Sequence, residues 1–491
     1  MITFLSAILA LILGYFIYGK FIEKFFGANN KIKTPVTRLE DGVDFIPMPT
    51  WKMFTIQFLN IAGLGPIFGA ILGAMYGPIS YIWIVFGCIF MGAVHDYFSG
   101  MLSIRNDGAS LPEIVGKYLG VIAKVLLAII TFGLLIMVGV AFVTGPAGLL
   151  EDLTGGGLHY WLFGIFGYYL IATLLPINKI IGKIYPIFGA ALLIMAFSIA
   201  GVMMFNGATG SLQLHELSID QFKNMHASPT QNILYPMMFI VISCGAISGF
   251  HSTQSPMMAR CMKKETYGRP VFFGAMIAEG IVAIIWATAA MNYFGTTSDL
   301  NSIVSSGHNP AWIVNEICNT WLGKVGAIFA IIGVIACPIT TGDTAFRSAR
   351  LMIADLFKFE QTSLKSRLLI SIPLFVIGFI LSQLSFGTIW KFLGLFNQLL
   401  AMVMLWTAAM YLVEQKKNHW FLSIPAVFMT AICSTYFLVA PNANGGLAID
   451  TSIGYTIGIG IALLVLSWFL FTAKQVATKN NKELTPKYEI K

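Results

Sequence analysis

Four ionisable side chains of this chain stand inside long apolar runs: His95 and Asp96 in GAVHDYFSG, His251 in CGAISGFHS and Glu279 in IAEGIVAIIW. A charge near the centre of a bilayer costs about 2.5 to 3.5 kcal/mol on insertion scales, so such residues mark transport paths or proton carriers. Asp96 lies nine residues before Arg105, His251 nine before Arg260, and Glu279 ten after Arg269. At about 1.5 Å per helical residue, each is roughly 14 Å from its basic neighbour. Three separate segments therefore place titratable groups at one depth. Thr340, Thr341, Asp343 and Thr344 in CPITTGDTAFRSAR offer hard oxygens for Na⁺ or a proton. Asp343 and Arg347 are also spaced i, i+4 for an ion pair at a helix end. Asn397 and Gln398 interrupt the apolar run KFLGLFNQLLAM, as substrate ligands or as interhelical hydrogen-bonding groups.

Only membrane spans can position these groups. The 491 residues are 57% hydrophobic and 11% charged, with mean hydropathy +0.78, which predicts an all-α polytopic membrane protein. Apolar runs predict thirteen spans, at 1–19, 52–75, 78–104, 121–144, 158–176, 179–205, 231–258, 270–294, 323–343, 367–384, 391–413, 419–440 and 452–473. The first lacks a basic flank and a small-residue cleavage site, and reads as a retained span. With the N-terminus outside, 27 of the 30 Lys and Arg fall on one face, leaving Lys223, Lys324 and Lys391 on the other. The basic face is the cytoplasm, so the C-terminus is inside, and the net charge of +8 calls for no nucleic acid. The six cysteines show neither paired nor metal-ligand spacing and read as small apolar fillers.

The spans group as one, five, five and two: 1–50, 51–205, an outer loop 206–230, 231–413 and 414–491. Because five is odd, the second set starts from the opposite face, as an inverted repeat would. The opening span of each set carries helix-breaking residues. In NIAGLGPIFGAILGAMYG (60–77) these are Gly63, Gly65 and Pro66; in the second set they are Gly245, Ser248, Gly249 and His251. Unwound backbone at matching positions of two halves frees N–H and C=O groups for a solute. Gly65, Gly69, Gly73 and Gly77 also recur every fourth residue, the stripe by which membrane helices pack closely. Both readings hold, a break at Gly63 to Pro66 and packing from Gly69 to Gly77.

The sequence contains no G-x-x-x-x-G-K-[ST] loop, H-E-x-x-H or G-x-S-x-G. The expectation is an uptake transporter coupled to H⁺ or Na⁺, without metal or other cofactor. Its rivals are a membrane-embedded metal-dependent enzyme using His95, Asp96 and His251, and a passive channel.

In order along residues 34 to 413, the segments TPVTRLEDGVDFIP, IAGLGPIFGAILGAMYG, GAVHDYFSGMLSIRNDGASL, CGAISGFHS, EGIVAI, TTGDTAFRSARLMIADL and FNQLLA resemble the carbon starvation protein A family of bacterial inner-membrane transporters. The resemblance implies a secondary transporter that takes up peptides and is driven by protons, with pyruvate symport known in the same family. It also implies a LeuT-like five-plus-five core in which spans 2 and 7 are discontinuous and span 9 shares a cation site with span 2. The chain departs from longer relatives at Ile56 and Gln57, where they carry a histidine pair, and at STQSPMM after His251, where they carry a Ser-, Gly- and Thr-rich turn.

Overall fold

A computed structural model describes residues 1–40, 45–174, 177–357, 359 and 363–483. Lys358, Lys487 and Lys491 of the basic set expected on the cytoplasmic face, and positions 41–44 of the TPVTRLEDGVDFIP segment, lie outside the described residues. The described chain is helical throughout, with no strand. It comprises α1 (Ile2–Phe26), α2 (Thr50–Ile61), α3 (Gly65–Ala74), α4 (Ser80–Arg105), α5 (Leu111–Leu119), α6 (Val121–Thr154), α7 (Leu158–Leu174), α8 (Ile177–Thr209), a short helical stretch α9 (234–241), α10 (Phe250–Ala259), α11 (Glu265–Tyr293), α12 (Thr297–Ser305), α13 (Pro310–Gly326), α14 (Ile331–Ala354), α15 (Leu364–Leu381), α16 (Phe386–Glu414), α17 (Trp420–Val439) and α18 (Thr451–Glu483).

Among the described residues, nine helices are long and apolar enough to cross a membrane, and eleven spans result if the bent pairs α2/α3 and α13/α14 each count once. The expected span 158–176 holds a shorter apolar helix, Leu158–Ala172. The expected span 231–258 is in two pieces, α9 and α10.

Local chemistry sets the boundaries. Ser110 and Glu113 form a capping box at the start of α5, and Thr296 and Asp299 do the same for α12. Gly155, at φ 69°, closes α6 in the left-handed conformation that glycine adopts freely.

The ninth expected span needs correcting. Residues 323–343 were expected to cross and to end near Asp343. Instead the backbone turns at Gly323 (φ 59°, ψ −143°), and α13 and α14 meet at 118°. Thr340 to Arg347 therefore lie inside a helix that runs on to Phe357, where they were expected at its capped end. Hydropathy falls at the polar run TTGDTAFRSAR, yet those residues stay helical, so an apolar window cannot follow the helix to its end.

Polar interactions gather at two ends. At one, Glu265 is fully buried and pairs with Arg105, while accepting from the backbone N–H of Asn29 at 2.8 Å. Arg269 pairs with Glu23 at 2.9 Å, and Lys417 donates to the carbonyls of Phe25 and Phe26 at 2.8 Å, fixing the end of α1. At the other end, the Met1 amino group pairs with Glu216. Burial raises that carboxyl, but hydrogen bonds from Met1 and Thr3 outweigh it and hold it down at about 2. Asn301 ties the loop 206–230 to the end of α3, accepting from Ala227 N at 3.0 Å and donating to Met75 O at 3.0 Å.

Candidate functional site

The two expected breaks are present and differ in build. The first spans only 62–64. Helix α2 ends on the bond from Ala62 N to Phe58 O at 2.7 Å, and α3 restarts at Gly65 with Pro66 in its first turn, bent by 46°. Proline suits that place because first-turn N–H groups have no helical partner. The second break runs from Ile242 to Gly249, with Gly245 at φ +88°. That conformation favours glycine.

Unwound backbone away from water must find partners, and in the second break they come from side chains on three other helices. Trp390 Nε1 donates to Val241 O at 3.3 Å, Trp83 Nε1 to Ile242 O at 3.1 Å and Gln398 Nε2 to Phe239 O at 3.0 Å. Glu279 Oε1 accepts from Gly245 N at 3.1 Å. Asn397 Oδ1 accepts from Phe250 N at 2.7 Å, its Nδ2 donates to Ser248 Oγ at 3.0 Å, and its backbone carbonyl accepts from Gly249 N at 3.2 Å. Asn397 and Gln398 thus hold the unwound segment in place.

The glycine stripe of α3 lies against this segment. A Cβ on Gly65 would fall 2.5 Å from Cys244 Cβ, one on Gly69 3.3 Å from Val241 O, and one on Gly73 2.4 Å from Ile242 Cγ1. The second helix of the first broken span, α3, therefore lies with its glycine backbone directly against the stretch 241–244 of the second. Cys244 is more than the apolar filler expected of it. Its sulfur accepts from Asn397 Nδ2 at 3.6 Å.

Beneath the second break the ionisable groups form a chain. His95 Nδ1 and His251 Nδ1 each lie 2.8 Å from Asp96, one on each carboxylate oxygen. His251 Nε2 lies 3.3 Å from Glu279 Oε2, and all four side chains are fully buried. If Nδ1–H of His251 donates to Asp96, the neutral ring turns the lone pair of Nε2 toward a carboxylate oxygen. Two acceptors face each other there unless a proton lies between them. Glu279 thus grips the second break with one oxygen and meets the histidine with the other. Cys244, His251 and Glu279 have ligand-capable atoms all within 4.8 Å of one another, a set that could admit a soft cation in place of that proton.

The α14 residues stand apart from this chain. Thr340 and Thr341 donate to Cys337 O at 2.7 and 3.1 Å, and Thr344 donates to Thr341 O at 2.8 Å. A Cβ on Gly63 would be 3.5 Å from Thr341 Oγ1, so this helix borders the first break. Asp343 pairs with Arg347 at 3.2 Å, and Arg347 also donates to Ala172 O at 3.0 Å, which ties α14 to α7. Trp83 and Trp390 carry no signal in the sequence, because single indole N–H groups in apolar runs make no pattern, whereas Gln57, at one of the two departures from longer relatives, is a visible polar interruption in FTIQFLNIAG.

The profile of the carbon starvation protein CstA family matches residues 1–156, 147–321 and 310–436. This chain belongs to the CstA family. A membrane protein of Haemophilus influenzae is 43% identical to it over 352 residues, 62% of this chain and 95% of the relative. The peptide transporter CstA of Bacillus subtilis is 27% identical over 500 residues, 81% and 83% of the two chains. The pyruvate/proton symporter BtsT of Escherichia coli is 27% identical over 327 residues, 52% and 44%. Among solved structures, inward-facing Mhp1 superposes with a TM-score of 0.52 at 15% identity, over 90% of this CstA-family chain and 97% of Mhp1. The fold is therefore that of the LeuT-type transporters.

Proposed function

We propose that this CstA-family protein is a secondary active transporter that takes up peptides by alternating access, driven by protons. One observation carries the reading: the proton-requiring gap between His251 Nε2 and Glu279 Oε2 belongs to the same carboxylate that holds Gly245 N–H in the second break. Loading or releasing that proton changes how firmly Glu279 grips the unwound backbone, so ion and solute are coupled at one residue. Asp96 and His95 orient His251 and pass the proton on. The backbone of Gly63, Gly65 and Pro66, with that of Gly245, Ser248, Gly249 and His251, lines the solute site. Asn397 and Gln398 hold it, and helix N-termini at the breaks favour a carboxylate on the solute.

The protein sits in the inner membrane with thirteen crossings, the N-terminus outside and the two five-span sets forming an inverted repeat. The named activities of the Bacillus subtilis and Escherichia coli relatives support transport of peptides or of pyruvate. Placement of Thr341 beside Gly63 favours a second reading, in which Thr340, Thr341 and Thr344 ligate Na⁺ as the coupling ion.

Purified protein in liposomes tests the proposal. Labelled dipeptide should accumulate against its gradient when the pH gradient is directed inward, and stop when a protonophore collapses it. Accumulation that follows Na⁺ alone would replace the proton, and pyruvate accumulation without dipeptide uptake would replace the substrate. Flux without saturation or accumulation would mark a channel.

A further inference from the structure

The cytoplasmic half of the first broken span carries polar groups that nothing in the described structure uses. Gln57 is fully buried and Asn60 is 3% exposed. Both polar atoms of the Gln57 amide, together with Asn60 Nδ2, have no hydrogen-bond partner. The spacing i, i+3 puts the two side chains on one face of α2, and Asn60 is two residues from the break at Ala62. Helix α2 packs against α10 and α11, the helices that carry His251 and Glu279. Gln254 on α10 has an unpaired Oε1 as well. At the second break, by contrast, both nitrogens of the Asn397 and Gln398 side chains are engaged, and only Gln398 Oε1 of their amide atoms has no partner. Unpaired amides in a membrane interior are costly, and bound water or a ligand is the usual reason they persist.

We infer that Gln57, with Asn60 beside it, is the subsite that reads a peptide unit of the transported solute. A glutamine amide offers N–H donors at one end and an acceptor at the other. Either orientation of the side chain leaves one donor and one acceptor free. A peptide unit presents one N–H and one C=O, and so satisfies both. Pyruvate at neutral pH presents acceptors only; it fills the donor and leaves Gln57 Oε1 facing another acceptor. A site built to pair a donor discriminates against a solute that lacks it. The inference rests on the transporter reading and adds to it the residue that separates peptides from small keto acids.

The test crosses a change in the ligand with a change in the protein. Inhibition of labelled alanyl-alanine uptake is measured in proteoliposomes with unlabelled alanyl-alanine, with its analogue methylated at the peptide nitrogen, and with pyruvate. Wild-type protein should prefer the unmethylated dipeptide by about tenfold, the weight of one hydrogen bond. Gln57→Leu should weaken alanyl-alanine by about tenfold or more and bring the ratio of the two dipeptides close to one. Gln57→Met, unbranched and closer in shape, serves if the leucine variant does not fold. A variant that keeps the wild-type ratio, or a wild type that does not discriminate, overturns the assignment. Uptake of pyruvate but not of dipeptide overturns it while leaving a transporter, whereas absence of any gradient-driven uptake sinks the transporter reading itself.

Discussion

The two broken spans solve the same problem in opposite ways. The second is unwound over eight residues, yet its freed backbone groups are held by Trp83, Trp390, Gln398, Glu279 and Asn397 from three neighbouring helices. The first is open over three residues, and the polar side chains next to it, Gln57 and Asn60, hold nothing. The second break is fastened by many side-chain partners, whereas the short bend at Gly63 to Pro66 has none of these ties among the described residues. The expectation is that the second break serves as the platform and the first as the moving part in alternating access. That division predicts that polar residues around the platform stabilise the protein and that those along α2 do not.

The largest effect should come from Asn397→Leu, which strips the acceptor from Phe250 N–H and the donor to Ser248. A loss of about 2 to 4 kcal/mol in thermal unfolding is expected, while Asn397→Asp, which keeps the acceptor, should lose less. Gly65→Ala forces a methyl into Cys244 and should cost about 1 to 3 kcal/mol, with uptake falling further than stability because the two breaks are pushed apart. Trp83→Phe leaves the Ile242 carbonyl unpaired at about 1 kcal/mol. On the other side of the comparison, Asn60→Leu should leave the unfolding temperature unchanged or raise it, by up to about 1 kcal/mol, while lowering uptake. If Asn60→Leu destabilises as much as Asn397→Leu, the two breaks are not different in kind.

The smallest effect concerns the outer loop. Burial, with a lesser contribution from the charge of Lys391, holds the His226 imidazole at about 4, below its ordinary 6.5, beside the ring of Tyr76. The docked loop therefore carries neutral histidine. Its stability is full above pH 6.5 and declines as the pH falls toward 4. Glu216, held at about 2 against an ordinary 4.5, adds stability that is complete above pH 4.5 and lost toward pH 2. Hydrogen exchange of residues 206–230 should quicken in these two windows, and His226→Phe should remove the upper one.

Much of this arrangement was legible. The run Gly63-Leu-Gly65-Pro66 marked the first break, and counting nine or ten residues from Arg105, Arg260 and Arg269 placed Asp96, His251 and Glu279 at one depth, where their side chains meet. What the sequence could not reveal was which groups serve the backbone. Asn397 and Gln398 stood open as substrate ligands or as interhelical hydrogen-bonding groups, because polarity in an apolar run signals a partner without naming it. Cys244 passed as filler because its neighbour, Gly65, lies on another span. The ninth span runs beyond its expected end because the polar residues from Thr340 to Arg350 stay helical while their hydropathy falls.

The most direct trial of the whole account is Glu279→Gln in proteoliposomes. Glutamine can still accept from Gly245 N–H and can donate to His251 Nε2, so the break keeps its shape while the exchangeable proton is lost. The variant should exchange labelled dipeptide across the membrane at close to the wild-type rate, yet fail to accumulate it under an inward proton gradient. Accumulation equal to wild type would show that the coupling proton travels elsewhere, and the link between Glu279 and the second break would have to be abandoned.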